Sequence, residues 1–195
     1  MPMNTANKLT LARVFLIPVF LVIAYWGFPG SRYVALAVYI AACLTDLLDG
    51  YIARKYHLVT NLGKFLDPIA DKVLVSTALI LMLTVDAILP PLFSIAVAVI
   101  LARELIVSGF RMVAASRGLV LAADKIGKVK TVFQDLAIFV LLAGYDFFGV
   151  FDSSPDSVNP INVAGLVLLV IAAVLTIWSG VSYIVKNREV LKESE

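Results

Sequence analysis

Six stretches of about twenty or more mostly apolar residues take up most of this 195-residue chain, at roughly 8 to 28, 33 to 56, 62 to 84, 91 to 117, 126 to 149 and 160 to 185. Crossing the ~30 Å hydrocarbon core of a bilayer takes a helix of about 20 residues, so each stretch is long enough to span. None shows the period-two alternation of a membrane barrel, and an open sheet in lipid would leave backbone groups unpaired. The expected fold is therefore an all-α integral membrane protein of six transmembrane helices, forming one domain over residues 1–195. Composition agrees, since 61% hydrophobic residues, 15% charged residues and a mean hydropathy of +0.96 lie outside the range of an ordinary water-soluble domain. The first apolar stretch is long enough to span and no small-residue cleavage pattern follows it, so it is expected to remain in place. The longest polar break runs from Tyr145 to Pro160 and reads as an ordinary loop. The lone cysteine, Cys43, has no intramolecular partner and reads as a small apolar residue in a helix.

Six spans put both termini on one side, together with the loops after the second and fourth spans. Lys8, Arg13, Arg54, Lys55, Lys64, Arg117, Lys125, Lys128, Lys130, Lys186, Arg188 and Lys192 fall on that side, against Arg32 on the other. The positive-inside rule then places both termini in the cytoplasm. With that orientation the ionisable residues within the spans gather at one membrane face. Charges at such depth cost several kcal/mol each, so they are expected to line a wet cavity and to meet a ligand or a metal ion.

The densest run of charge is TDLLDGYIARKYHLVTNLGKFLDPIADK, Thr45 to Lys72. Asp46, Asp49, Gly50 and Ala53 share one helical face, and Asp67 and Asp71 are four apart, with Gly63 four before Asp67. Two such faces on consecutive antiparallel helices would bring four carboxylates into one pocket. Clustered carboxylates need a cation to stay ionised together, and oxygen ligands select hard divalent ions such as Mg²⁺ or Mn²⁺. Gly50 and Gly63 leave room for a ligand to approach the backbone. At Pro68 the chain either begins the main part of the third span, capped by Asp67, or kinks. The plain alternative is that these aspartates form interfacial salt bridges with Arg54, Lys55, Lys64 and Lys72. A second alternative is a cation or proton transporter, which would place its carboxylates near the bilayer centre on several helices.

Asp46, Asp49, Gly50, Ala53, Arg54, Gly63, Asp67 and Asp71, eight fixed positions in 26 residues, resemble the signature of the CDP-alcohol phosphatidyltransferases. ANKLTLARVFLIPVF near the start and RELIVSGFRMVAASRGLVLAADKIGKVKTVFQDLAIF from Arg103 extend the resemblance, toward the branch that makes phosphatidylglycerophosphate. Ala6 departs from it, since relatives often carry proline before Asn7. The resemblance implies the CDP-alcohol phosphotransferase fold and transfer of a phosphatidyl group from CDP-diacylglycerol to sn-glycerol 3-phosphate, with release of CMP. It implies one or two Mg²⁺ or Mn²⁺ ions held by Asp46, Asp49, Asp67 and Asp71, with Asp71 also the catalytic base, and Gly50, Ala53, Arg54 and Gly63 serving the CDP group. It further implies a homodimer among membrane lipids. No nucleic-acid partner is expected, and the absence of targeting segments fits a bacterial plasma membrane with the active site facing the cytoplasm.

A pyrophosphate donor needs its charge neutralised at the bridging and leaving oxygens, which divalent ions supply while aligning an in-line attack. The donor fork of Arg54 suits a phosphate oxygen. An acceptor with its own phosphate needs a second anion site, for which Arg111, Lys128 and Arg103 are the main candidates, with Lys72 and Lys130 as contributors. The competing reading pairs Arg103 with Glu104 and makes Lys125, Lys128 and Lys130 anchors to anionic headgroups. Asn7, Thr10 and Arg13 share a face and are placed at the pocket entrance. His57 reads as a solvated loop residue. Asp124 and Asp135 flank the lysine cluster and are expected to pair with it. Trp26, Trp178, Tyr25, Tyr33 and Tyr183 are expected in interfacial belts. Within the same chemistry the acceptor could instead be phosphatidylglycerol, an inositol phosphate or serine.

Overall fold

The computed structural model describes residues 5–26, 28, 30–55, 61–84, 89–117, 119, 121, 125–144 and 160–188, and among them every regular element is helical. Six α-helices follow one another: α1 Thr5–Trp26, α2 Ser31–Lys55, α3 Asn61–Leu83, α4 Ser94–Ser116, α5 Lys125–Gly144 and α6 Pro160–Lys186, with a 3₁₀ turn at Pro91–Phe93 leading into α4. Their positions follow the six apolar stretches to within a few residues. Leu9–Trp26, Pro91–Ser116 and Pro160–Lys186 are long and apolar enough to cross a membrane, whereas Tyr33–Asp46 and Lys72–Leu83 are shorter apolar runs. The difference is charge: α2 and α3 carry the acidic stretch at the ends where they adjoin, and α5 carries Lys125, Lys128, Lys130 and Asp135. Of the two alternatives left open at Pro68, a helix that starts there capped by Asp67 is not what the structure shows, because α3 is helical from Asn61 onward and Asp67 lies inside it.

The chain divides into two compact units, one holding α1, α2 and α3 through Met82, the other beginning at Leu83 and holding α4 to α6. In the first unit α1 packs against α2. Arg13 meets Asp46 and Phe20 meets Tyr39, so α1 advances seven residues while α2 retreats seven, the register of an antiparallel pair. The turn between them passes through Gly30 at φ +82, a left-handed backbone open to glycine, and Ser31 N–H closes it onto the Phe28 carbonyl at 2.9 Å. Phe20 and Tyr39 lie buried with ring centroids 5.9 Å apart, beside buried Ala35, Leu36 and Ala42.

In the second unit α6 packs against both α5 and α4. Its buried positions, Gly165, Leu169, Ala172, Ala173, Thr176, Ser179, Gly180 and Tyr183, recur at intervals of three and four and are mostly small. Small residues let helix backbones approach closely, which is how helices associate where lipid removes the usual hydrophobic drive. At Gly165 the approach is at its limit, since a Cβ there would lie 2.7 Å from Leu141 Cγ on α5. Opposite faces show exposed Ile95, Leu105, Val174 and Val181, as expected of a surface solvated by lipid. Of the expected interfacial aromatics, Tyr25, Trp26, Tyr33 and Trp178 are exposed, but Tyr183 is 2% exposed and packs inside the unit. Its place in a belt is therefore corrected: it lies on the buried stripe of α6, edge-on to Phe110 of α4 at 6.0 Å.

Candidate active site

In the first unit, the signature residues fall on two helices at helical spacing. Asp46, Asp49, Gly50, Ala53 and Arg54 lie in the last turns of α2, and Gly63, Asp67 and Asp71 in the first turns of α3. The side chains of Asn7, Asp49, Ala53, Arg54, Asp67 and Asp71 lie outside the described residues, as do the surroundings of Gly50 and Gly63 and the whole of His57 and Asp124. Asp46 is described. Its Oδ1 is ion-paired with Arg13 Nη1 of α1 at 2.6 Å, where the Arg13 side chain is 0% exposed and that of Asp46 is 40% exposed. Arg13, expected at the pocket entrance, thus sits behind the first aspartate of the signature, and Thr10 is buried one turn earlier on the same face.

This arrangement bears on whether the residues suit a divalent ion. The Arg13 contact holds one oxygen of Asp46 and leaves Oδ2 without a hydrogen bond or ion pair among the described residues, on a carboxylate that remains accessible. By residue type alone, Asp46 with Asp49, Asp67 and Asp71 would make an all-oxygen donor set of the kind that hard divalent ions prefer. The donor chemistry fits, and an oriented carboxylate held from behind is the usual arrangement around a bound metal.

In the second unit, the basic residues of α4 and α5 separate into two kinds. Arg103 Nη1 donates to Glu104 Oε1 at 3.0 Å, and Lys130 Nζ is ion-paired with the same oxygen. Arg103 Nη2 donates to Ser179 Oγ of α6 at 3.1 Å. Both terminal nitrogens of Arg103 are therefore engaged, and Lys130 is 1% exposed. Glu104 ties α4 to α5 and offsets one of the two positive charges at the point where both are withdrawn from solvent. The pairing of Arg103 with Glu104, raised from sequence as the competing reading, is what this structure shows.

Arg111 differs. It is exposed, its Nε donates to Tyr183 Oη at 3.1 Å, and its Cζ lies 5.2 Å from the centroid of the Tyr183 ring. Its Nη1 and Nη2 have no partner among the described residues. The Lys128 side chain is exposed and likewise without a partner among them. Lys72 belongs to the first unit, half-buried in α3, and Asp135 is half-buried in α5.

Sequence reasoning brought out the cations and passed over the groups that hold them: Glu104 as a bridge to Lys130, and Ser179, Gly180 and Tyr183 of α6. A signal existed for Glu104, since a carboxylate in the middle of an apolar span needs a partner. Tyr183 and Ser179 are four apart on the small-residue stripe of α6, which marks them as facing inward.

Comparison with known proteins places the chain among relatives. The family model for CDP-alcohol phosphatidyltransferase matches residues 3–178. A Bacillus subtilis protein named CDP-diacylglycerol–glycerol-3-phosphate 3-phosphatidyltransferase is 42% identical, over 98% of this chain and 98% of its own length. A Rickettsia felis protein of the same name is 38% identical, over 92% of this chain and 93% of its own length. A Mycobacterium tuberculosis protein named as a probable phosphatidylglycerophosphate synthase is 39% identical, over 94% of this chain and 81% of its own length. With a family model covering nearly the whole chain and the signature intact from Asp46 to Asp71, the chain belongs to the CDP-alcohol phosphatidyltransferase family.

Proposed function

We propose that the protein transfers the phosphatidyl group of CDP-diacylglycerol to the primary hydroxyl of sn-glycerol 3-phosphate, giving phosphatidylglycerophosphate and CMP, the committed step of phosphatidylglycerol synthesis. The reaction class rests on family membership, and the acceptor on the names of relatives aligned over nearly the full chain. The structural observation that carries the acceptor is Arg111, whose guanidinium is oriented through Nε while its two terminal nitrogens have no described partner. Paired N–H donors of this kind match two oxygens of a phosphate monoester, and a guanidinium keeps its charge at any physiological pH. Lys128 supplies a second accessible positive charge on α5.

The donor side falls to α2 and α3. Asp46, Asp49, Asp67 and Asp71 hold one or two Mg²⁺ or Mn²⁺ ions in this reading, and Gly50, Ala53, Arg54 and Gly63 receive the CDP group. Divalent ions bound there supply charge neutralisation for the pyrophosphate and for the departing CMP. Arg13 keeps Asp46 in one orientation from inside the α1–α2 interface. Asp71 accepts the proton of the attacking hydroxyl, a new bond forms between that oxygen and the phosphorus bearing the diacylglycerol, and the bond from that phosphorus to CMP breaks. Asn7 and Thr10 shape the entrance to this pocket. The wider picture is a single domain of six spans, with both termini and the active site on the cytoplasmic side of a bacterial plasma membrane, acting as a homodimer.

The test uses purified protein in detergent with CDP-diacylglycerol and each of sn-glycerol 3-phosphate, phosphatidylglycerol, inositol phosphate and serine in turn. The expected result is CMP release and a lipid product with glycerol phosphate alone, abolished by a chelator and restored by Mg²⁺ or Mn²⁺. Turnover with another acceptor in preference would overturn the acceptor assignment.

A further inference from the structure

The face of α6 that meets α4 carries Ser179, Gly180 and Tyr183, all buried, and each touches one of the two arginines of α4. Ser179 Oγ donates to the Thr176 carbonyl at 3.2 Å, which turns its lone pairs toward Arg103 Nη2 at 3.1 Å. Gly180 lies against the Arg103 stem, where a Cβ would come 3.0 Å from Cγ. Tyr183 meets Arg111 in two ways, with its hydroxyl accepting from Nε and its ring beneath the guanidinium carbon at 5.2 Å. The ring is itself fixed, edge-on to Phe110 and enclosed with Ala114 and Val107. These α6 residues lie beyond the segment, 3–178, that the family model matches.

The two arginines are held by partners of different charge. Arg103 donates to a carboxylate, which offsets its charge, whereas Arg111 donates to a phenol, which is neutral. A neutral acceptor at Nε fixes the plane and direction of the guanidinium while leaving its full charge and both terminal nitrogens to an incoming anion. A flexible arginine would lose side-chain freedom on binding, and holding it in advance removes much of that cost. We propose that Tyr183 is a positioning residue for the acceptor, a buried phenol that presents the fork of Arg111 to the phosphate of glycerol 3-phosphate. The inference rests on the reading of Arg111 as acceptor site given above.

Tyr183→Phe removes the hydroxyl and keeps the ring, its packing on Phe110 and its contact with the guanidinium. A hydrogen bond involving a charged group is one of the stronger kinds, and part of the positioning survives through the ring. The variant is therefore expected to raise KM for sn-glycerol 3-phosphate about tenfold, or about 1.4 kcal/mol. The KM for CDP-diacylglycerol and the melting temperature should stay at the parent values, and kcat within about twofold of it. Inorganic phosphate, used as a competitive inhibitor against the acceptor, should weaken in parallel. In an Arg111→Ala background the same change should have no further effect on either KM, because nothing remains for the hydroxyl to orient. An unchanged acceptor KM in Tyr183→Phe, an equal rise in both KM values, or the same rise in the Arg111→Ala background would each overturn the positioning role. If Arg111→Ala itself leaves the acceptor KM unchanged, it is the assignment of Arg111 that fails, and the role of Tyr183 falls with it.

Discussion

Glu104 holds two cations through one oxygen, so its replacement by glutamine tests how far the second unit depends on a shared buried charge. Lys130 is nearly fully enclosed, with its side chain at 2% exposure against 20% for Glu104 and 15% for Arg103. Removing one partner of a buried ion pair costs about 3–5 kcal/mol, because the other charge is left without compensation. Glutamine keeps an acceptor oxygen at the same place and Arg103 keeps its bond to Ser179, so the lower part of that range applies, about 3 kcal/mol. For a chain of this length each kcal/mol moves the melting temperature by about 2–4 °C, which gives a fall of roughly 6–12 °C for Glu104→Gln. Thermal unfolding of the purified protein in detergent, followed by tryptophan fluorescence, measures it. The double variant Glu104→Gln with Lys130→Met removes the stranded cation and should recover about half of the loss or more, since deleting both partners avoids an uncompensated group. A single variant that melts within about 2 °C of the parent, at most about 1 kcal/mol on this scale, would show that the shared charge does not hold the unit together. So would a double variant no better than the single.

Arg111→Ala should raise KM for sn-glycerol 3-phosphate by about 10–100-fold, the size of a lost charged hydrogen bond or two, and leave KM for the liponucleotide unchanged; steady-state kinetics with each substrate varied in turn decide it. Gly165→Ala forces a methyl group to within 2.7 Å of Leu141 Cγ. It should lower stability by about 1–3 kcal/mol through overpacking, with partial rescue by Leu141→Ala in the same melting assay. Phe20→Ala empties a fully buried site beside Tyr39 and should cost about 3–5 kcal/mol, again read by melting in detergent. Asp46→Asn should abolish CMP release and also lower the melting temperature by roughly 6–12 °C, since it leaves Arg13, whose side chain is 0% exposed, facing a neutral amide as Glu104→Gln leaves Lys130.

The helices were legible because bilayer thickness dictates their length, and the aspartates because their spacing of three and four survives in any helix. What the sequence left open is which helix faces which. α4 and α6 are apolar nearly all round, so periodicity does not reveal that Tyr183 points at Arg111 rather than at the membrane interface, and a rule drawn from composition assigned it to the aromatic belt. Arg13 is a similar case. Its burial followed from its position in an apolar span, but the partner, Asp46, depends on the antiparallel register of α1 on α2, which is set by Phe20, Tyr39 and the turn at Gly30. Glu104 shows the reverse: the need for a partner was readable from sequence and the sharing with Lys130 was not, because Lys130 looked like one of several anchors at the start of α5.

Transfer of the phosphatidyl group to glycerol phosphate fixes a stoichiometry that can be measured. Purified protein is supplied with CDP-diacylglycerol, radiolabelled sn-glycerol 3-phosphate and Mg²⁺ or Mn²⁺, and CMP in the aqueous phase is compared with label in the lipid phase. One labelled lipid, phosphatidylglycerophosphate, is expected for each CMP released. CMP release without label entering lipid, or neither product in the presence of both substrates and metal, would contradict it.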